Sequence, residues 1–194
     1  MNRQPGGPAS GKQQIVVSGV GGQGVLFVTR LLADAAIRRG GSVLTSETHG
    51  MAQRGGVVVS HLKAGDFASP LVRAGQADGL FVLKEENIPL HRGFVKSGGW
   101  IIVNSARAGA ADGDETLHAI DADGLAHESG NLQAANLILL GFALARMGTA
   151  DQGGLLFCSP EDIRAALHQR MGERESVLRS SIAALDLGIF HGKR

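Results

Sequence analysis

Residues 14–39, QIVVSGVGGQGVLFVTRLLADAAIRR, confine the chain to few folds. Gln14 to Ser18 is a β-branched run that ends at a glycine, the pattern of a buried strand. From Gln23 to Arg39, apolar Val25, Val28, Leu32 and Ala36 recur every three or four positions, while Arg30, Asp34 and Arg38 stack on another face. That spacing predicts a helix, and Gly40 and Gly41 supply its stop. The strand and the helix are joined by GVGGQG, which fits G-x-G-x-x-G through Gly19, Gly21 and Gly24 in the context a dinucleotide fingerprint requires. With 29 glycines in 194 residues, chance alone yields about 0.6 such matches, so the pattern decides little without its setting.

The alternation continues. Residues 42–46, 57–63, 80–83, 101–103 and 117–120 read as strands, with helices over 85–96, 132–146 and 173–187 and a capped helix start at Ser159-Pro-Glu-Asp. The 132–146 helix is apolar nearly all round, as for a helix packed on a sheet or against another subunit. The expectation is an α/β fold, a Rossmann-like three-layer sandwich with a mostly parallel sheet. Residues 1–13, polar and rich in Gly and Pro, read as a disordered leader, and 14–194 as a single domain. No apolar run is long enough for a membrane span and no secretory signal pattern is present, so a cytoplasmic location is expected.

Composition narrows the chemistry. The formal net charge is +1 and the basic residues are scattered, giving no footprint for nucleic acid or an anionic membrane. Cys158 is the single cysteine, which excludes an internal disulfide and a four-thiolate cluster held by this chain alone. The seven histidines show no zinc-type spacing, so no metal site is expected.

The second informative stretch is TSETHGMAQRGG, residues 45–56. Glu47 lies near where a dinucleotide site needs an acid for the ribose hydroxyls. In a parallel sheet the loops after neighbouring strands share one edge, so this stretch and GVGGQG are expected side by side. There His49 can exchange a proton or hydrogen-bond near neutral pH, Arg54 can grip a carboxylate or phosphate, and Gln53 can orient a polar group. Gly50, Gly55 and Gly56 let the backbone bend around them. Glu47 paired with Arg54 and His49 capping a turn are the purely structural alternatives. Free N–H groups at the start of the first helix favour an anion, whether phosphate, carboxylate or an acidic side chain.

The series GVGGQGVLFVTRLLADAAI, SETHGMAQRGGVVVSHLK, GQADGLFVLKEE, GGWIIVNSA and SGNLQAANLILLGFAL resembles the gamma-type domain of the 2-oxoacid:ferredoxin oxidoreductases, within them the indolepyruvate branch's beta subunit. The resemblance runs from about residue 14 to the C-terminus. It implies a small subunit of an enzyme that oxidatively decarboxylates a 2-oxoacid, an aryl pyruvate in that branch, to an acyl-CoA, and that is inactive alone. It also implies a larger catalytic partner carrying thiamine diphosphate, Mg and iron–sulfur clusters, with coenzyme A as co-substrate and ferredoxin as electron acceptor. This chain would bind none of these cofactors by itself. The matching residues are Gly21, Gly22, Gln23 and Gly24 of the turn and Glu47, Thr48, His49, Gly50, Gln53, Arg54 and Gly55 of the second motif, expected on an edge that faces the partner's active site or coenzyme A. No residue is assigned a catalytic role. A homo-oligomer is expected for the isolated chain, because a subunit lacking its partner exposes apolar surface.

Two other readings remain at this point: an NAD-dependent Rossmann dehydrogenase, and a non-catalytic structural or regulatory module. Titration of the isolated protein with NADH, followed by fluorescence, separates the first from the subunit reading. The dehydrogenase reading predicts saturation at micromolar concentration; a flat response is the outcome expected here.

Overall fold

The structure, a computed structural model, describes residues 12–49, 55–107, 115–149 and 153–194. The elements run β1 (Gln13–Val20), α1 (Val25–Arg38), β2 (Val43–His49), β3 (Val57–Ala64), β4 (Ala77–Val82), α2 (Ile88–His91), β5 (Val95–Asn104), β6 (Thr116–Ile120), α3 (Ala122–Glu128), α4 (Ala135–Met147), α5 (Pro160–Met171) and α6 (Glu175–Gly192). β1 begins one residue inside the expected leader; residues 1–11 lie outside the described residues. The six strands form one sheet in the order β2-β3-β1-β4-β5-β6. β1 pairs in parallel with β4, β4 with β5, and β5 with β6, while β3 runs antiparallel to both β1 and β2. The expected mostly parallel α/β architecture holds, with β3 as the one reversed strand.

The sheet's two faces are covered unequally. On one, Ile15, Val17, Leu62, Phe81, Trp100 and Ile102 pack under α1, α3, α4, α5 and α6. On the other, Val16, Leu80, Val82, Ile101 and Val103 meet Val72 and the 85–94 segment through Ile88 and Phe94. The third layer of the sandwich is therefore a single short helical segment. β1, in the middle, is buried on both faces, with Ile15, Val16 and Val17 all at 0% exposure, so its near-continuous apolar run is what a two-sided burial demands.

Several expected boundaries move for identifiable reasons. The helix over 85–96 is broken: a 3₁₀ turn at Glu85–Asn87, four residues of α2 with Pro89 in its first turn, a second 3₁₀ turn at Arg92–Phe94, and then strand β5 from Val95. Pro89 has no N–H to donate, and Gly93 weakens the next turn, so the segment never propagates. α3 was not anticipated; the Asp121 side chain caps it by accepting from the Gly124 N–H at 2.8 Å. β2 extends through His49, taking Glu47, Thr48 and His49 into the strand. α4 begins three residues later than expected and α6 ends five later. α5 carries the full capping box between Ser159 and Asp162.

The apolar α4 is covered by α6, and the two backbones touch. A Cβ on Gly188 would lie 2.0 Å from the Ile138 carbonyl oxygen, and one on Gly141 2.1 Å from that of Leu185. Absence of a side chain at both places lets Leu139, Leu140 and Leu185 reach complete burial. Among the described residues, no helix is long and apolar enough to cross a membrane. Gly188→Ala is expected to destabilise the protein by about 3 kcal/mol, at the severe end of overpacking, because its obstacle is backbone. Gly93→Ala, with nothing within 4 Å, should stay within about 0.5 kcal/mol. Denaturant midpoints of the two variants check this.

Candidate functional site at the glycine-rich edge

The turn between β1 and α1 is held by the side chain of Gln23. Its Oε1 accepts the Val20 N–H at 2.9 Å, its Nε2 donates to the Leu83 carbonyl at 3.1 Å, and its backbone N–H reaches back to Val20 O at 3.1 Å. One side chain thus closes the turn and ties it to the end of β4. Gly19 must be glycine for this to happen: a Cβ there would sit 2.8 Å from Val25 and 2.9 Å from Gln23 Oε1. Gly24 has φ +82, and a Cβ would strike Asn136 Nδ2 at 2.1 Å. That amide donates to the Gln23 carbonyl at 3.1 Å and fixes α4 against the turn.

α1 begins at Gly24 with no side-chain cap. The first N–H groups of a helix have no partner within it, so this end of α1 presents donors to whatever fills the space in front. Gly21 and Gly22 are exposed beside it.

The two motifs meet, as expected, but by a different route. β2 and β3 form an antiparallel hairpin, and it is the start of β3, Val57 opposite Val20, that lies next to the end of β1. The Gly21 N–H donates to the Gly56 carbonyl at 3.0 Å, joining the turn directly to the end of the second motif. Gly55, at φ +84, precedes this contact. The backbone of Thr48 and His49 is in β2, in register with Val59 and Val58. Glu47 is half-buried and opposite Ser60. Gly50, Gln53 and Arg54 lie outside the described residues. Because β3 stands between β1 and β2, Glu47 is two strands, about 10 Å, from β1. The acid of a dinucleotide site comes from the strand next to the first, so the spatial basis for the dehydrogenase reading is lost.

Two recesses flank the turn. One, of about 130 Å³, is lined by Gln23, Leu83, Asn104, Asp123, Gln133 and Asn136. It opens where α1 leaves on one face of the sheet and the segment after β4 leaves on the other, the position at which ligands enter open α/β sheets. Three of its amides, those of Gln23, Asn136 and Asn104, are committed: Asn104 donates to Leu83 O at 3.2 Å and accepts from Ala122 N and Asp123 N at 2.9 and 3.3 Å. The other recess, about 450 Å³, runs along Gly21, Gly22, Leu26, Phe27 and Val58, with Arg30 and Arg170 at its rim. Arg170 pairs with Asp34, whereas Arg30 is exposed and has no carboxylate partner among the described residues. Apolar walls, free helix N–H groups and an available guanidinium suit an anion carried on an apolar or aromatic body.

Sequence reasoning placed Arg30 on a helix surface and passed over Asn104, Asn136 and Arg170. Only their convergence in space marks them. Cys158, by contrast, offers no reactivity: it is buried, and that burial, with the Asp162 carboxylate nearby, drives its thiol far above the ordinary range. Among the described residues no cluster of three His, Cys, Asp or Glu side chains is placed to hold a metal ion.

The chain as a whole is similar to known proteins. A family profile described as pyruvate ferredoxin/flavodoxin oxidoreductase matches residues 14–190. The indolepyruvate oxidoreductase subunit IorB of Archaeoglobus fulgidus is 35% identical, over 66% of this chain and 73% of that protein. The gamma subunit of a keto/oxoacid ferredoxin oxidoreductase from Geobacter sulfurreducens superposes with a TM-score of 0.74 at 25% identity, covering 93% of this chain and 98% of the other. The 2-oxoglutarate:ferredoxin oxidoreductase of Magnetococcus marinus, solved with 2-oxoglutarate, coenzyme A and succinyl-CoA bound, gives a TM-score of 0.76 at 20% identity over 94% of this chain and 31% of its own. At that identity the likeness is one of fold.

Gly24→Ala is expected to cost about 2–3 kcal/mol, from left-handed backbone strain and loss of the Asn136 contact. Chemical denaturation gives the number.

Proposed function

Because the chain belongs to the pyruvate ferredoxin/flavodoxin oxidoreductase family, we propose that it is the small subunit of a 2-oxoacid:ferredoxin oxidoreductase acting on indolepyruvate or another aryl pyruvate. Its glycine-rich edge forms one wall of a site completed by a larger catalytic subunit. The observation that carries this reading is the Gly21–Gly56 hydrogen bond, which puts both motifs on one edge beside an uncapped helix start. The wall consists of Gly21, Gly22, Gln23, Gly24 and Gly55, the end of β2 at Glu47, Thr48 and His49, and Gly50, Gln53 and Arg54, which lie in sequence between β2 and β3. Within it Gln23 is the brace, since both ends of its amide are spent on the turn.

On this reading the larger recess takes coenzyme A. Gly21, Gly22 and Arg30 would hold a phosphate, and Leu26, Phe27 and Val58 would line its less polar parts. When bound it supplies the thiol that takes up the acyl group. Thiamine diphosphate, Mg and the iron–sulfur clusters belong to the partner on this reading; a lone buried thiol held protonated cannot serve a cluster. The chain acts as one domain over 14–194, in the cytoplasm, with ferredoxin as the acceptor for the whole complex, and self-associates when purified alone.

Affinity purification from the native cell is expected to recover a larger subunit together with 2-oxoacid-dependent viologen reduction. Recovery of this chain alone, without that activity, would overturn the proposal. In the reconstituted complex, Arg54→Ala and His49→Ala should each reduce kcat/KM for coenzyme A by about 10- to 100-fold with assembly intact, the loss of a charge-assisted hydrogen bond. Unchanged turnover would make both residues architectural.

A further inference from the structure

Beneath the turn, on the thinly covered face of the sheet, lies a buried polar chain that touches neither recess. Ser18, Asn87 and His91 are 0%, 3% and 8% exposed. Asn87 Nδ2 donates to the Gly19 carbonyl at 2.8 Å and to Ser18 Oγ at 3.1 Å. Ser18 Oγ lies 2.8 Å from His91 Nδ1. Both hydrogens of the Asn87 amide are thereby used. The Ser18 hydroxyl then has one place for its own hydrogen, His91 Nδ1, which assigns His91 as the neutral ring protonated on Nε2. The ring is stacked on Phe94 at 6.2 Å, so it cannot turn away without unpacking that face.

We propose that His91 and Asn87 are positioning residues for the glycine-rich turn, linked through Ser18 in a relay that works only while His91 is neutral. An imidazolium has no acceptor. Ser18 Oγ would receive hydrogens from both His91 and Asn87 and be left with its own hydrogen stranded in a buried site. The Asn87 amide is the link to the Gly19 carbonyl, so its displacement is felt where the turn begins.

The surroundings oppose the charged ring. Burial depresses the His91 pKa below its ordinary value, and the Asn87 backbone carbonyl works in the opposite sense without reversing the shift. From β3, His61 faces it, itself depressed by burial, then by His91 and by Lys63. The nearby charges are engaged elsewhere: Glu85 accepts from Ser105, Arg92 pairs with Glu115, and Lys96 pairs with Asp78. With the folded pKa below the unfolded value of 6.5, the unfolded chain takes up the proton first. The relay's contribution is complete above that value and is lost as pH falls through the window beneath it.

The consequence for ligand binding rests on the proposed function; the positioning itself does not. The test uses the full-length chain labelled with ¹⁵N, following the amides of Gly21, Gly22 and Gln23 and the His91 ring between about pH 8 and 5. The turn amides are expected to shift with the midpoint of His91, below 6.5. In His91→Asn the side-chain oxygen stands where Nδ1 was and takes no proton, so the turn signals should keep their high-pH positions and lose the acid transition. Asn87→Asp, which removes both donations, should displace them at every pH. Turn amides that ignore His91 in the wild-type chain, or a transition that survives in His91→Asn, overturn the inference. A second arm measures coenzyme A binding to the reconstituted complex: affinity should fall several-fold on acidification in the wild type and less in His91→Asn. Amides that follow His91 while coenzyme A binds at no pH would leave the positioning intact and remove the proposed ligand. Binding with equal pH dependence in wild type and His91→Asn would remove the positioning and spare the ligand.

Discussion

The turn after β1 exists because Gly19 has no side chain and Gln23 has one of the right length. In the space a Cβ would occupy, Val25, Gln23 Oε1 and Leu83 converge, and the Gln23 amide spans from the last residue of β1 to the carbonyl at the end of β4. The direction of α1, its contact with α4 through Asn136, and the two recesses on either side depend on that closure. A half-buried side-chain amide bonded at both ends is held in place, because moving it gives up two hydrogen bonds at once. The turn's geometry is thus set by one side-chain strut, while the exposed Gly21 ties it to the second motif through its N–H.

Much of this was legible in the chain itself. The periodicities of α1, α4 and α6 and the β-branched runs of β1, β3 and β5 are local signals, and an element lies over each, although β5 starts six residues earlier than expected and α6 ends five later. Position of the motifs on one edge was also foreseeable. Local pattern could not carry the order of the strands. Nothing in VVVSHLK says that β3 runs backwards between β1 and β2; that depends on the short connection between β2 and β3, which permits a hairpin and forbids a crossover. The continuous helix expected over 85–96 does not form because Pro89 and Gly93 outweigh the apolar spacing around them. Arg30, Asn104 and Asn136 were invisible as site residues because a cleft built from separate elements has no sequence window.

The uneven covering of the sheet gives each face a different role. The helical face contains the main apolar core and the glycine-mediated contact of α4 with α6. The other face keeps Ser18 and His61 buried beneath ten residues of broken helix, which adds the buried Asn87 and His91 from its own side. Apolar packing tolerates volume-conserving exchange, whereas a hydrogen-bonded set tolerates few changes, since each member satisfies the next.

The strand at the sheet's centre is the first to be made. β1 occupies Gln13–Val20, but its partners are β3 and β4, and β4 ends at Val82. On a ribosome adding about 5–20 residues per second, this strand waits roughly 3–12 s for its second neighbour. During that interval Ile15, Val16 and Val17 have no sheet to join on that side. The same central placement that buries Ile15, Val16 and Val17 completely in the finished protein makes β1 the strand that waits longest for both neighbours during synthesis, and the stretch that early chaperones would find.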